Sequence, residues 1–486
     1  MRAKILPDLI GKHVTVIGLG TQGGGMGTVC WLLRQGACVL VSDRATRATL
    51  RSALKQIELF QQQLKQKRSH PIGSLVLHLG KAHVKEDIIG ADLVVMNPDV
   101  PRNTLVFSWA KAHHIPIRIG DTSLFVERCP TPIIGVTGTR GKTTTTSLIG
   151  AIFRSVDRRT LVAGNLRISP LNDLSRLLRS QKAQRPFVVL ELSSWQVEGI
   201  HQMRMSPHIG IITNIFPDHL NRYKNIREYA KAKAGLFTHQ TNNDHAIINY
   251  DNIPSRSIAT TLNSRVWWVS SHILPKGMNG AFLDYGWITL RSGRRAVRVM
   301  ERGESPLMGD HNDANILASV LACWIAGVNV AVIRSVVRRF KGVAGRLEYI
   351  RTHNHIRYIN DTAATSPEAV IAALHAVRSQ SRSIILIAGG TDKQLEYQSM
   401  INVVRQFCRG VIFLPGSATT KMKQFLELSD ELSIRDANSM SEAVSLARAV
   451  AHSGDTILLS PGAASFGLFQ NAYDRGDQFR TLIKKL

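Results

Sequence analysis

Residues 133–144 read IIGVTGTRGKTT: an apolar run, a glycine-containing turn and the start of a helical stretch. The backbone N–H groups of such a strand–loop–helix converge on phosphate oxygens, aided by the positive end of the helix dipole. Lys142 would neutralise the β- and γ-phosphates, and the Thr143 hydroxyl would bind Mg²⁺. This stretch therefore predicts an ATP site formed by Gly138, Thr139, Arg140, Gly141, Lys142, Thr143 and Thr144.

The order of elements around this loop predicts an α/β protein. Short β-branched runs alternate with helical patterns along the whole chain, as in stacked parallel α/β layers. Strands are expected at 13–20, 38–43, 75–79, 93–96 and 115–119 before the loop, and at 187–192, 209–215 and 246–250 after it. Residues 267–300 are expected to be rich in β-structure, and four further strands are expected at 356–361, 383–390, 411–415 and 456–462. We expect three tandem domains: a Rossmann-like one at 1–131, a central P-loop ATPase-like one at 132–347, and a Rossmann-like one at 348–486.

Bulk composition narrows the class of protein. The 486 residues contain no run of roughly 18 apolar residues and no secretory signal at the N-terminus, so we expect a cytoplasmic location. Five scattered cysteines argue against a disulfide framework. The net charge of +26 suits polyanionic ligands. The basic residues are dispersed and aromatics are sparse, which disfavours nucleic acid as a partner.

A second glycine motif lies near the N-terminus. Gly18, Gly20 and Gly23 form G-x-G-x-x-G after an apolar strand, with Asp43 about 20 residues on. This pattern ordinarily suggests a dinucleotide, but no later segment offers a site for hydride transfer. The diphosphate of a UDP-sugar fits the same cradle.

The loop form GTxGKTTT resembles that of the Mur ligases and the related folylpolyglutamate synthetases. Further motifs follow in the family's order: ELSSWQVE at 191–198, TNIFPDHLNRY at 213–223 and YAKAK at 229–233. The resemblance implies that Lys142, Glu191, His219 and Lys233 are catalytic. It also implies two Mg²⁺ ions held by Thr143, Glu191, His219 and Lys233, with Lys233 carbamylated by CO₂ into a carboxylate-like ligand.

Later segments extend the resemblance. GDHNDANILAS at 309–319 and GRLE at 345–348 imply that Asn312, Asn315 and Arg346, together with Asp361, contact ATP. NDTAATSPEA at 360–369, GGTDKQ at 389–394 and the segment 458–479 resemble family members that add D-glutamate. By that resemblance Thr365, Lys393 and Ser465 hold the amino acid. The UDP-substrate contacts are then Gly18, Gly20, Thr21, Gln22, Asp43, Asn97, Asn165, Ser193 and Gln196.

The implied activity is ATP-dependent ligation of D-glutamate to UDP-N-acetylmuramoyl-L-alanine through an acyl phosphate, in peptidoglycan synthesis, by a monomer. A related ligase adding another amino acid is the main alternative. A nucleic-acid-stimulated ATPase and a nicotinamide-dependent oxidoreductase are alternatives from other classes. Three departures from the patterns are visible: Val136 replaces the first glycine of the general phosphate-loop pattern, Ala363 replaces a lysine, and Ala472 replaces an aromatic residue. The last two alter the expected amino-acid pocket.

Overall fold

The computed structural model describes residues 9–21, 23–66, 73–101, 103–166, 169–179, 186–219, 222–378, 380–426 and 432–486. The described residues form three sheets and divide into two compact units. The first unit contains the described residues up to Arg302 and Ala314–Val337. The second contains Gly303–Asp313 and Arg338–Leu486.

The first sheet is fully parallel, with strand order β3-β2-β1-β4-β5. This is the order of a Rossmann nucleotide-binding half, so the predicted Rossmann-like start is confirmed. Its strands are β1 His13–Ile17, β2 Cys38–Asp43, β3 Leu75–Leu79, β4 Leu93–Met96 and β5 Ile117–Ile119. The last strand begins two residues later than expected, after Pro116. The helices are α1 Gly24–Arg34, α2 Arg51–Gln66, α3 Leu105–Ala112 and α4 Gly120–Arg128.

The second sheet has nine strands in the order β14-β13-β12-β11-β10-β9-β6-β8-β7. Its strands are β6 Ile133–Thr137, β7 Leu161–Gly164, β8 Val188–Glu191, β9 Ile209–Ile212, β10 His245–Asn249, β11 Arg265–Ser270, β12 Gly280–Asp284, β13 Trp287–Ser292 and β14 Arg295–Glu301. All pairings are parallel except those of β13 with its two neighbours. Every residue of β6, β8 and β9 is buried, as expected for parallel strands covered on both faces.

The helices of this part of the chain are α5 Lys142–Val156, α6 Leu171–Arg179, α7 Ser194–Gln202, α8 Ile226–Ala234, α9 Ile253–Arg256, α10 His311–Ile325 and α11 Val330–Arg339. The phosphate loop runs from β6 into α5, as the sequence predicted. Glu191 ends β8, and β8 pairs directly with β6. The carboxyl edge of the sheet thus carries both the phosphate loop and Glu191.

The third sheet has the order β15-β16-β20-β17-β18-β19. Its strands are β15 Glu348–His353, β16 Ile356–Asn360, β17 Ile384–Gly389, β18 Cys408–Leu414, β19 Ser433–Asp436 and β20 Thr456–Leu459. Its helices are α12 Pro367–Arg378, α13 Gln398–Phe407, α14 Ser417–Gln424, α15 Met440–Val450 and α16 Ala472–Lys484. Only β15 runs antiparallel to its neighbour. The sequence predicts four of these six strands: β16, β17, β18 and β20.

These three sheets confirm the expected α/β fold with three sheet-based parts in tandem. The exact boundaries 1–131, 132–347 and 348–486 stay a prediction. All five cysteines are free. Within the described ranges, no helix is both long enough and apolar enough to cross a membrane.

Candidate functional site

The phosphate loop packs closely against Thr213 and Asn214, which directly follow strand β9. Gly138 has φ 142°, and a Cβ there would lie 1.9 Å from Thr213 Oγ1. The Thr139 N–H donates to the Asn214 carbonyl at 2.8 Å, and the Arg140 N–H donates to Asn214 Oδ1 at 2.9 Å. A side chain at Gly138 would push the loop away from β9. The loop conformation therefore requires glycine there.

Asn315 lies against the other side of the loop. Gly141 has φ 83°, and a Cβ there would lie 2.1 Å from Asn315 Oδ1. Thr145 Oγ1 donates to the same oxygen at 3.3 Å. Thr143 and Thr144 are half-buried in the first turn of α5. The structure thus brings Asn315 to the predicted ATP loop.

The two predicted catalytic lysines meet at one carbonyl. Lys142 Nζ donates to the carbonyl oxygens of Gly138 at 2.9 Å and Thr139 at 2.8 Å. Lys233 Nζ donates to the Gly138 oxygen at 2.9 Å, and its side chain is buried. Burial, with the positive charge of Lys142 as a second cause, holds the pKa of Lys233 well below its ordinary value.

An aromatic cluster joins this pair to His219. Lys233 Nζ lies 4.5 Å from the centre of the Tyr229 ring. The His219 ring lies 6.1 Å from the Tyr229 ring and 5.5 Å from the Trp195 ring. Burial lowers the pKa of His219; the carboxylate of Asp218 opposes this, and the lysines support it. The ring is consequently neutral at neutral pH.

Glu191 presents one bound and one unbound carboxylate oxygen. Its Oε1 accepts from Asn165 Nδ2 at 3.0 Å, and the Asn165 N–H donates to the Glu191 carbonyl at 2.9 Å. Its Oε2 is buried and has no hydrogen-bond partner among the described residues. A buried oxygen without a donor costs free energy unless a ligand satisfies it, and carboxylate oxygens suit Mg²⁺. The residues therefore fit a hard cation at this point.

Metal binding here would draw on several elements. In the described part of the chain, no three His, Cys, Asp or Glu side chains form a ready metal cluster. The predicted ligands instead combine Thr143, Glu191, His219 and a modified Lys233.

The first glycine motif and Asn97 come together. A Cβ at Gly18 would lie 3.0 Å from Asn97 Cβ, and one at Gly20 would lie 2.8 Å from Asn97 Nδ2. Asp43 Oδ2 accepts from the N–H groups of Leu19 at 2.7 Å and Gly20 at 3.2 Å. Asp43 thus fixes the glycine turn in addition to any ligand contact. Thr21 is exposed; Gln22 lies outside the described residues.

Ser193 and Gln196 form a capping box at the start of α7. Ser193 Oγ accepts from the Gln196 N–H at 3.3 Å, and Gln196 Oε1 accepts from the Ser193 N–H at 2.9 Å. Gln196 Nε2 donates to Thr122 Oγ1 at 2.9 Å, which links α7 to α4. Both predicted substrate residues therefore also have local structural roles.

In the second unit the predicted nucleotide residues Arg346 and Asp361 are neighbours. The Leu347 N–H donates to Asp361 Oδ1 at 3.1 Å, and Ser460 Oγ donates to Oδ2 at 2.9 Å. Burial raises the pKa of Asp361 to about 7, although these bonds and Arg346 oppose the shift. Asn312 donates through Nδ2 to the Met308 carbonyl at 2.7 Å.

The predicted amino-acid residues also converge. Lys393 Nζ donates to Thr365 Oγ1 at 3.1 Å. The loop of Lys393 pairs with that of Ser465, since the N–H groups of Thr391 and Ala464 donate to each other's carbonyls at 2.9 and 3.0 Å. The Ala363 N–H donates to the Gly345 carbonyl, and the Ala472 carbonyl accepts from Thr362 Oγ1 at 2.8 Å. Ala363 therefore lies on the loop after β16, and Ala472 is the first residue of α16, next to that loop.

The sequence reading missed several residues that build the site. Asn214 and Thr213 hold the phosphate loop, and Tyr229 contacts both Lys233 and Thr139 of the loop. Asn214 follows a buried strand directly, which was a usable signal. Tyr229 gave none beyond its helical spacing from Lys233.

Comparisons with known proteins give the same class. Residues 136–323 match the family model of the Mur ligase middle domain, and residues 345–462 match that of the Mur ligase glutamate ligase domain. Among solved structures, a UDP-N-acetylmuramate–alanine ligase (MurC) from Thermotoga maritima has a TM-score of 0.57 at 18% identity, over 97% of this chain and 99% of its own. MurF ligase from the same organism, in complex with ADP, has 0.58 at 14%, over 98% and 96%. These two show the shared fold.

This chain belongs to the Mur ligase family. Within the family, it matches proteins named UDP-N-acetylmuramoylalanine–D-glutamate ligase over nearly their full length. The one from Roseiflexus sp. (strain RS-1) is 38% identical over 98% of this chain and 99% of its own. The one from Symbiobacterium thermophilum is 33% identical over 98% of each.

Proposed function

We propose that this protein is an ATP-dependent ligase that joins D-glutamate to UDP-N-acetylmuramoyl-L-alanine in peptidoglycan synthesis. Relatives named for this reaction match along nearly the whole chain, which supports the choice of substrates. The structural observation that carries the reaction class is the meeting of Lys142 and Lys233 at the Gly138 carbonyl of the phosphate loop. A loop that binds phosphates next to a buried second lysine suits phosphoryl transfer.

The first step activates a carboxylate. The L-alanine carboxylate of the UDP substrate attacks the γ-phosphorus of ATP, an O–P bond forms, and the bond from that phosphorus to the β–γ bridging oxygen breaks. ADP leaves and an acyl phosphate remains. Lys142 and the loop N–H groups stabilise the charge that spreads over the phosphoryl oxygens.

The second step forms the amide. The D-glutamate amine attacks the acyl carbon, loses a proton, and expels inorganic phosphate from the tetrahedral intermediate. His219, whose pKa is lowered by burial, is the candidate to take that proton when its ring nitrogen is not bound to Mg²⁺. Closure around the acyl phosphate would keep water from hydrolysing it.

Mg²⁺ is the metal that the donor set fits. Thr143, Glu191, His219 and carbamylated Lys233 would hold two ions, which would neutralise phosphate charge. The free buried Oε2 of Glu191 supports this assignment.

Carbamylation of Lys233 follows from its chemistry. A neutral amine adds to CO₂, forming an N–C bond and releasing one proton, and leaves a carbamate anion. Burial and the Lys142 charge favour the neutral amine that this step requires. The exposed Lys231, two residues earlier on α8, lacks that environment.

Substrate contacts divide between the two units. Gly18, Gly20, Asn97 and Asn165 are proposed for the UDP substrate, with Thr21, Gln22, Asp43, Ser193 and Gln196. Thr365, Lys393 and Ser465 are proposed for the carboxylates of D-glutamate; the hydrogen bond between Lys393 and Thr365 supports this grouping. The ATP contacts proposed in addition to the loop are Asn312, Asn315, Arg346 and Asp361.

A related ligase with another amino acid is the second candidate. Ala363 and Ala472 favour it, since Ala363 lies on the loop that carries Thr365 and Ala472, at the start of α16, accepts a hydrogen bond from Thr362 of that loop. We propose a cytoplasmic monomer with domains at 1–131, 132–347 and 348–486. Cell fractionation and the mass in solution test the first two points.

The function is tested by phosphate release from ATP and Mg²⁺ in the presence of both other substrates. Release should require UDP-N-acetylmuramoyl-L-alanine and the amino acid together. Lys142→Ala should reduce the rate by about 10²-fold or more because a phosphate-contacting cation is lost. The exposed Lys231→Ala is the matched control and should keep the wild-type rate. Equal activity of Lys142→Ala and Lys231→Ala would refute the assigned site.

A further inference from the structure

Arg475 is buried beneath two loops of the second unit. It is the fourth residue of α16, and its side chain has no exposed surface. Its Nε donates to Thr362 Oγ1 at 3.1 Å, and one terminal nitrogen donates to the Thr362 carbonyl at 3.0 Å. The other terminal nitrogen donates to the Ala463 carbonyl at 3.3 Å. One guanidinium therefore binds both loops.

The two loops carry proposed substrate contacts. The loop after β16 carries Asp361 and Thr365, and the loop after β20 carries Ser465. Strands β16 and β20 pair in parallel, with Asn360 opposite Leu459, so both loops leave the same edge of the sheet. A planar guanidinium fixes its acceptors in one geometry. Arg475 thereby sets how far the first loop lies from the second.

The charge of Arg475 is unusual for a packing residue. Its three acceptors are all neutral oxygens, and the described residues give it no carboxylate partner. A buried cation without a counter-ion costs free energy, and an apolar side chain of similar volume often replaces it without loss of stability. The three hydrogen bonds from the guanidinium to the two loops point to a role in loop geometry. Although burial lowers its pKa to about 10, the group stays charged at neutral pH.

A second contact shows that α16 and the loop after β16 are tightly packed. A Cβ at Gly476 would lie 2.5 Å from Thr362 Cγ2. Thr362 Oγ1 also donates to the Ala472 carbonyl at 2.8 Å. The first turn of α16 and the loop after β16 are thus packed directly against each other.

We propose that Arg475 is a positioning residue that sets the spacing of the Thr365 and Ser465 loops and thereby the affinity for the amino-acid substrate. The inference rests on the proposed function, in which these loops hold D-glutamate. It goes further by assigning the spacing to a residue that has no exposed surface. The proposed UDP-substrate contacts lie in the first unit, so their binding should not depend on Arg475.

The test measures steady-state phosphate release by the full chain with each substrate varied in turn. Arg475→Lys keeps the charge but loses the fork, and the loss of one or two hydrogen bonds should raise the KM for D-glutamate by about tenfold. Arg475→Met should raise it further. The KM for UDP-N-acetylmuramoyl-L-alanine should stay unchanged, and kcat should change by less than about threefold.

Arg357→Lys is the matched control. Arg357 lies near the opposite end of β16 and donates to the Gln380 carbonyl and Oε1, both at 2.6 Å. This variant should have the wild-type KM for D-glutamate. If Arg475→Met does not fold, Thr362→Val removes the Nε acceptor without touching the guanidinium and should raise the same KM.

Two results would overturn the inference. One is an unchanged KM for D-glutamate in both Arg475→Lys and Thr362→Val. The other is an equal rise in the KM values of D-glutamate and the UDP substrate, which would indicate a general loss of structure. Both are read against an active wild type. A wild-type chain that releases no phosphate with these substrates would overturn the proposed function instead.

Discussion

Lys233 Nζ lies 2.9 Å from the carbonyl oxygen of Gly138, and the Lys233 side chain is only 1% exposed. Lys142 donates to the same oxygen. Two lysines that share one acceptor favour loss of a proton from the buried one. The geometry thus places a buried amine, whose pKa is held well below its ordinary value, directly against the phosphate loop.

The first prediction concerns modification of Lys233. Wild-type protein incubated with ¹³C-bicarbonate should show a carbamate carbon signal by NMR, because burial lowers the pKa of the Lys233 amine and favours its neutral form. Lys233→Ala should lack the signal and lose about 10²-fold or more of its activity. Lys231→Ala, on the same helix, should keep both. A signal that persists in Lys233→Ala would place the carbamate elsewhere.

Glu191 should be needed for metal-dependent turnover. Glu191→Gln keeps the shape and the bond from Asn165 but removes the charge that a cation requires, so kcat should fall by about 10²-fold or more. Turnover measured across a Mg²⁺ titration would also show a higher half-saturating concentration. Glu228→Gln, on the exposed face of α8, is the control and should behave as wild type. An unaltered Mg²⁺ dependence in Glu191→Gln would remove Glu191 from the metal site.

The titration of His219 should depend on CO₂. Burial lowers the pKa of the ring below its ordinary value of 6.5, with Lys233 and Lys142 contributing. In CO₂-free buffer the ring should therefore gain its proton only below pH 6.5. Carbamylation of Lys233 replaces a cation with an anion, which favours the protonated ring and moves the pKa upward. NMR titration with and without bicarbonate checks this, and identical curves would contradict it.

The ionised carboxylate of Asp361 should lower the free energy of unfolding while contributing to nucleotide binding. Its folded pKa of about 7 lies above the ordinary value of 3.8. Because the folded state holds the proton more tightly, stability falls as pH rises from about 4 through 7. Asp361→Asn should therefore raise the free energy of unfolding at pH 8 by a few kcal/mol, on the order of the pKa difference. The gain should vanish toward pH 4, while the KM for ATP rises. Thermal melts at both pH values test this, and a pH-independent difference would contradict it.

Much of the fold was predictable because the strands are buried on both faces. Runs such as IIGVT in β6 and LVVM in β4 are continuously apolar, which is typical of parallel sheets. The two strands of the third sheet that were not predicted lie at its edges. β15, EYIRTH, mixes charged, polar and apolar residues without a clear period, and β19, SIRD, is short with two exposed residues. Edge pairing is set by tertiary context, which periodicity does not contain.

The site was predictable where a motif fixes local geometry. The phosphate loop directly follows β6 in the second sheet. Gly18 and Asn97 directly follow β1 and β4, which are neighbours in the first sheet, so their approach could be expected. The convergence of Lys233 with Gly138 is not local, since 95 residues separate the two. Neither the lowered pKa of Lys233 nor the hydrogen bond from Arg475 to the Ala463 carbonyl can be predicted from sequence spacing, because both depend on burial.

The central claim is D-glutamate addition, and the most direct measurement is product formation from ATP, Mg²⁺ and UDP-N-acetylmuramoyl-L-alanine with single amino acids. Mass spectrometry of the UDP product identifies which amino acid is joined. We expect a product with D-glutamate, equimolar phosphate release, and little product with L-glutamate or other amino acids. A product formed with a different amino acid would keep the ligase mechanism but contradict the substrate assignment and direct attention to Ala363 and Ala472.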